Sequence, residues 1–274
     1  MELKVLIKAA LEEDVGSGDV TTKAIADADQ MAAAEIRAKE ELVVAGMDVA
    51  RLVFKEINAA LEWLPVVKDG DLVSSGTMLA AVRGRAKDLL LGERVALNFL
   101  QHLSGVATQT RKFVQVAQGT KARILDTRKT TPGWRALEKY AVRMGGGNNH
   151  RIGLHDRYMI KNNHIAVAGS LEKAIQKVLS HRNSTLLIEV EVRSLAELKS
   201  ALGLGVDIIL CDHFSIPDLK EAVALAGTQI KIEASGNITL ENVASVATAG
   251  VDFISVGALT HSAPARDIHM RILA

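Results

Sequence analysis

Three groups of residues in this 274-residue chain are of the types that bind and react with anions. The first is a set of charged residues in or at the ends of short apolar runs: Lys161, Glu189, Glu191, Asp212, Lys231 and Glu233. Glu189 and Glu191 share parity, so in a strand they face one side, where two carboxylates need cations or a metal close by. For Glu189, Lys231 and Glu233 two readings stand side by side, a functional one and a layer of paired charges inside a barrel. Glu191 and Asp212 end their runs, which favours function. The second group is local positive charge. Between Lys121 and Arg151 there are eight Lys or Arg and two acids, Asp126 and Glu138, in a chain whose 33 basic and 32 acidic residues nearly cancel. Arg135, Lys139 and Arg143 follow helical spacing and read as a solvated face. Arg128, Lys129, Arg151 and Lys161 are the better ligands for carboxylates and phosphates.

The third group consists of small-residue loops. Ser235-Gly236-Asn237 and Ser255-Val256-Gly257-Ala258 each join an apolar run to a helical pattern, where backbone N–H groups can cradle a phosphate. No Walker or dinucleotide glycine pattern is present, nor a Gly-x-Ser-x-Gly elbow or His-Glu-x-x-His spacing. Of eight histidines, His150 beside Arg151 is the ligand candidate, while His102, His181 and His269 read as surface or packing residues.

These residues need a scaffold that gathers strand ends. From residue 186 onward a short apolar run alternates with an amphipathic helix: strands over 186–192, 207–212, 229–235 and 252–258, with helices over 195–202, 216–226 and 240–249 between them. Ser194, Ser215 and Thr239 stand where caps belong, and Gly205, Gly227 and Gly250 where helices stop. Earlier strands over 122–127 and 158–161 bring the count to six, with room for a seventh, and helices are expected over 134–144 and 170–180. Repeated βαβ units imply a parallel sheet. An incomplete (β/α) barrel is the simplest closure, and an open doubly wound sheet competes. Residues 1 to about 100 instead read as a small α+β domain, joined through a long helical pattern over 89–116.

Composition bounds the partners. The near-neutral chain lacks the field that binds nucleic acid or anionic membranes. No apolar run approaches the ~18 residues of a membrane span. A single cysteine, Cys211, precludes an internal disulfide and suits a reducing compartment, so a cytoplasmic protein is expected.

At this point whole strings of the sequence resemble one family. The segments LGERVALN (91–98), LSGVA (103–107), LDTRKTTPG (125–133), NHR (149–151), IK with NH (160–164), EVE (189–191), EASG (233–236) and ISVGALT (254–260) look like nicotinate-nucleotide pyrophosphorylase, the carboxylating enzyme also called quinolinate phosphoribosyltransferase. Glu13-Asp14 with Gly18-Asp19-Val20-Thr21 fits the N-terminal pattern, so the resemblance spans nearly the whole chain.

The resemblance implies an N-terminal α/β sandwich (residues 1–105, with the tail 266–274 packed on it) and an incomplete barrel (106–265). It implies phosphoribosyl transfer from 5-phosphoribosyl 1-pyrophosphate to quinolinate with decarboxylation, and a homodimer with shared sites. Arg94 then comes from the partner subunit. Thr127, Arg128, Lys129, His150, Arg151 and Lys161 match the quinolinate and pyrophosphate contacts. Glu191 and Asp212 match the carboxylates for the ribose hydroxyls and Mg²⁺, and Ser235, Gly236, Asn237, Ser255, Val256, Gly257 and Ala258 the 5′-phosphate loops. Lys129, Lys161, Glu191 and Asp212 are the expected catalytic set. Three positions depart from the pattern: His213 for Asn, Asn162 for an acid, and Asn237 for Gly. A related barrel associated with molybdate transport and a silent sugar-phosphate sensor are the rivals. The intact 125–133 string opposes the first, and the retention of Lys161, Glu191 and Asp212 opposes the second.

Overall fold

The computed structural model describes residues 2–183 and 185–273; Met1, Ser184 and Ala274, two of which bound the domain ranges expected above, lie outside them. In chain order the elements are α1 (Leu3–Val15), α2 (Val20–Ile25), β1 (Met31–Ala38), β2 (Leu42–Val43), α3 (Met47–Ile57), β3 (Glu62–Pro65), β4 (Leu72–Val73), β5 (Met78–Arg85) and the long α4 (Ala86–Val116). Then follow β6 (Arg123–Leu125), α5 (Arg135–Met144), β7 (Tyr158–Ile160), α6 (Asn162–Ala168), α7 (Leu171–Ser180), β8 (Ile188–Val192), α8 (Leu195–Ala201), β9 (Ile208–Asp212), α9 (Ile216–Ala226), β10 (Lys231–Ser235), α10 (Val243–Thr248), β11 (Phe253–Ser255), α11 (Ala258–His261) and β12 (Ile268–Leu273).

The chain forms two compact units, Met1–Arg111 with Thr131–Gly146 and Ala263–Ala274, and Lys112–Thr130 with Gly147–Ser262. In the first, β12-β1-β5-β3 make an antiparallel sheet, and β2 and β4 a separate two-stranded one. The sequence carries the barrel unbroken from 106 to 265, whereas α5 clusters with the first unit. Within that unit Phe99 of α4 stacks on Trp134 at 4.6 Å, and buried Glu138 of α5 accepts from His102 and from the Thr131 N–H. β12 pairs with β1 from Ala33↔Leu273 to Ala38↔Ile268.

The second unit is the expected incomplete barrel. Six strands pair in the order β6-β11-β10-β9-β8-β7, with parallel neighbours throughout, and β6 and β7 do not pair with each other. The place of a seventh strand is held by one residue, Asn148, bridged in parallel to Leu125. Its amide donates to Ile124 O at 2.8 Å, and its carbonyl accepts from Asp126. Outward residues of the strands, among them Val190, Ile209, Ile232 and Ile254, are buried, as the apolar parity of each run requires. Ser194 and Ser215 cap α8 and α9 by accepting the N–H of Glu197 and Asp218. Thr239 does not cap α10, which begins four residues later at Val243. There the Asn242 side chain serves the preceding turn, accepting from the Thr239 N–H and donating to Asn237 O.

Candidate active site

The carboxyl ends of the barrel strands close around a pocket of about 320 Å³. Strand parity builds it: Met159 and Lys161, Leu210 and Asp212, Glu233 and Ser235 enter as alternate residues of successive strands, with Glu191 and Ser255 from β8 and β11. Thr127, Arg128 and Lys129 follow β6, and His150 and Arg151 follow the Asn148 bridge. Asp126 sets that last segment, accepting from the His150 N–H at 2.8 Å and from Asn149 Nδ2 at 2.5 Å.

The cations are held through their backbones as well as their side chains. The Arg151 N–H donates to His150 Nδ1 at 2.8 Å, and the Lys161 N–H to His164 Nδ1 at 2.9 Å. His164 carries no role in the sequence reading; its spacing of three from Lys161 on the first turn of α6 was the available signal. The Lys129 N–H donates to Thr127 Oγ1, while its carbonyl accepts from Thr260 Oγ1 at 2.7 Å.

The carboxylates meet cations of the chain. Glu191 Oε2 lies 2.8 Å from Lys161 Nζ. Asp212 is flanked by His213 Nδ1 at 3.0 Å and Arg193 Nε at 3.6 Å. With the Asn162 amide oriented so that its oxygen meets donors, that oxygen accepts from Arg193 Nη2 and Nε at 2.6 and 2.8 Å. Arg193 has no place in the sequence reading, since an exposed basic residue one step past a strand resembles any solvated side chain.

Deeper lies a wholly buried layer. Glu189 and Glu233 are 0% exposed, and among the described residues they and His150 form one trio whose possible ligand atoms lie within 4.8 Å of one another. A guanidinium already serves it, because Arg157 Nη1 donates to Glu189 Oε2 at 2.9 Å. His150 Nε2 stands 3.2 Å from Glu189 Oε1 and 3.5 Å from Glu233 Oε1. Burial opposes charge on this ring, but hydrogen bonds and charges from Glu189 and Glu233 outweigh it and push its pKa up to about 9. The trio holds its protons in common. An Arg151 N–H aimed at Nδ1 makes that atom the acceptor and Nε2 the protonated one. The Glu233 carboxyl is raised by burial and next by the charge of Glu189. Glu189 is held below its ordinary range despite burial, by His150 and Arg157. Lys231 does not share this layer: it is exposed at the other end of β10 and pairs with Asp252 at 3.1 Å.

The two small-residue loops differ. Among the described residues no acceptor takes the N–H of Gly236, Asn237, Gly257 or Ala258. Val256 is different: its amide donates to Leu125 O at 2.9 Å and its side chain is buried, so it belongs to the sheet. Among the described residues, His213 and Asn237, two of the three departures, are the non-glycine residues with positive φ, at 61° and 50°. Asn and Gly tolerate that region best and His better than most, which explains the residue types the positions take. Gly236 has φ 98°, and a Cβ there would lie 2.6 Å from the His213 ring.

Comparison with known proteins then places the chain. Residues 19–104 match the family described as quinolinate phosphoribosyl transferase, N-terminal domain, and residues 106–271 its C-terminal domain. The chain belongs to the quinolinate phosphoribosyltransferase family. It is 42% identical over 272 residues to a probable nicotinate-nucleotide pyrophosphorylase (carboxylating) of Bacillus subtilis, covering 99% of this chain and 94% of that protein. The solved structure of NadC from Streptococcus pyogenes superposes with a TM-score of 0.94 at 42% identity, covering 99% and 97% of the two chains. The nicotinate-nucleotide pyrophosphorylase of Francisella tularensis gives 0.95 at 39%, covering 99% and 96%.

Within this quinolinate phosphoribosyltransferase fold, ten of the sequence-selected residues line one pocket: Thr127, Arg128, Lys129, His150, Arg151, Lys161, Glu191, Asp212, Ser235 and Ser255. Gly236, Asn237, Gly257 and Ala258 lie on the loops beyond its rim. A Cβ on Gly257 would stand 3.0 Å from Lys129 Cδ. Arg94 belongs to the first unit, where it is exposed on α4.

Proposed function

We propose that this chain transfers the phosphoribosyl group of 5-phosphoribosyl 1-pyrophosphate to the ring nitrogen of quinolinate and releases carbon dioxide, forming nicotinate mononucleotide and pyrophosphate for NAD biosynthesis. The observation that carries this reading is the gathering in one pocket of four cations, Arg128, Lys129, Arg151 and Lys161, with two carboxylates, Glu191 and Asp212. Quinolinate bears two carboxylates beside its ring nitrogen, and charge-assisted contacts of roughly 1.5–3 kcal/mol each can orient that nitrogen toward C1 of the ribose. Leaving pyrophosphate puts positive charge on the ribose, which Glu191 and Asp212 stabilise, while Lys129 and Lys161 meet the departing anion. The N-ribosylated ring then stabilises the electron pair that departing carbon dioxide leaves on C2, and that carbon takes a proton from water to give nicotinate mononucleotide. The unclaimed N–H groups of Gly236, Asn237, Gly257 and Ala258 suit the 5′-phosphate.

Glu191 and Asp212 offer hard carboxylate oxygens on adjacent strands, a donor set suited to Mg²⁺ with water and substrate oxygens completing it. When bound, Mg²⁺ would neutralise the pyrophosphate. The protein acts as a homodimer in which Arg94 joins the partner's pocket. Two exposed features support this: Arg94 itself, and a groove of about 500 Å³ beside the unpaired edge of β7, where Leu154 and Val167 are 74% and 89% exposed. No described helix is long and apolar enough to cross a membrane, and the free thiol of buried Cys211 fits the cytoplasm. The decisive assay combines purified protein, quinolinate, 5-phosphoribosyl 1-pyrophosphate and Mg²⁺ and follows nicotinate mononucleotide and carbon dioxide. Equimolar formation is expected, with loss on chelation; folded protein that forms neither product refutes the reading.

A further inference from the structure

Arg157 belongs to none of the strings that mark the family, yet it reaches the most deeply buried charge beneath the pocket. It stands one residue before β7, and its Nη1 donates to Glu189 Oε2 at 2.9 Å. Glu189 is also met by His150 Nε2, at 3.2 Å from its Oε1. Beyond the ring, Nδ1 accepts the Arg151 N–H at 2.8 Å. Arg151 Nη1 in turn lies 3.5 Å from the Arg157 carbonyl. Guanidinium, carboxylate, imidazole and backbone amide thus run in one unbroken line from Arg157 to Arg151.

Both ring nitrogens of His150 are engaged within the protein, one as acceptor and one as donor, which is all a neutral imidazole has to give. The ring lines the pocket, but its polar atoms point into this line. We propose that Arg157 is a positioning residue which, through Glu189 and His150, holds Arg151 in place for a quinolinate carboxylate, and that His150 offers the substrate no ring nitrogen. This rests on the reading of the pocket given above and reassigns His150 within it from ligand to support. A carboxylate held from one side only can rotate away from the ring; Arg157 removes that freedom, and a small displacement of a binding guanidinium is costly to substrate alignment.

Steady-state kinetics with both substrates tests the line. Arg157→Ala should raise KM for quinolinate about tenfold and leave KM for 5-phosphoribosyl 1-pyrophosphate within about twofold, and Arg157→Lys should recover part of the loss. A quinolinate KM that stays at the wild-type value, or a rise shared equally by both substrates, overturns the proposal. Arg151→Ala serves as the reference. If it too keeps the wild-type quinolinate KM, the reading of the pocket falls; if it alone loses quinolinate, only the role of Arg157 falls. Nitrogen-15 NMR of the wild-type protein supplies a measurement independent of any variant's folding, with His150 assigned by difference against His150→Gln. Nδ1 should be unprotonated, Nε2 protonated, and neither resonance should change its protonation or hydrogen bonding when quinolinate is added. A quinolinate-dependent change at either nitrogen overturns the proposal.

Discussion

Glu233 shows how one side chain can carry a signature of the whole site. Its Oε1 is met by His150 Nε2 at the long distance of 3.5 Å in a wholly buried place, and a buried carboxylate so weakly paired costs several kcal/mol unless it takes up a proton. Its folded-state pKa is raised above the ordinary 4.5 by burial and by Glu189. A carboxyl raised in this way binds more protons when folded, so its stability contribution is full below that ordinary value and declines as pH rises through the interval above it. Glu233→Gln, neutral at every pH and of the same shape, should therefore flatten the fall in urea stability as pH rises above the ordinary carboxylate range. An unchanged slope would place the proton elsewhere in the trio. The parity of Glu189 with Glu191 was legible in the sequence, and so was the need for a cation. That the cation is Arg157 was not, because the residue lies on the approach to a strand and reaches a partner on the neighbouring one.

The strands and long helices of the barrel were legible as elements because each buries one face over several residues. What escaped was short or set by local geometry. Helix α6 begins on Asn162 and Asn163, weak helix formers, and β2 and β4 are two residues each. The start of α10 was misplaced because the Asn242 side chain serves the turn that Thr239 seemed to cap. Where β9 and β10 end, the sequence showed unusual residues without showing that they touch. The His213 N–H donates to Ser235 O at 2.9 Å, and its ring lies over Gly236. Gly236→Ala should cost more than the ~1–2 kcal/mol of a left-handed alanine, because its methyl group also meets the ring. In the double variant His213→Ala/Gly236→Ala the steric part should vanish while the backbone part stays. Denaturation of the four proteins measures this; strictly additive losses would show that the ring simply moves aside.

At the scale of the molecule, a shared pocket makes a prediction that no single subunit can. Arg94→Ala and Lys161→Ala should each lose nearly all activity as homodimers, because each removes a cation from every site. Mixed and allowed to exchange, they should regain about a quarter of wild-type turnover, from the one intact site in each hybrid dimer when half the dimers are hybrid. Exchange without recovery would mean that Arg94 serves its own chain's pocket or none. The return of β12 to the first unit was carried by the family resemblance alone, and the clustering of α5 with that unit was signalled by no pattern in the sequence. That return bears on how the protein is made. β1 is complete once residue 38 has been synthesised, yet the strand that covers its outer side begins at Ile268, about 230 residues later. At roughly 5–20 residues per second, the growing chain carries an uncovered β edge for more than ten seconds. Through that interval the nascent protein is open to pairing with its neighbours on the same message, so the last strand acts as a late seal against aggregation.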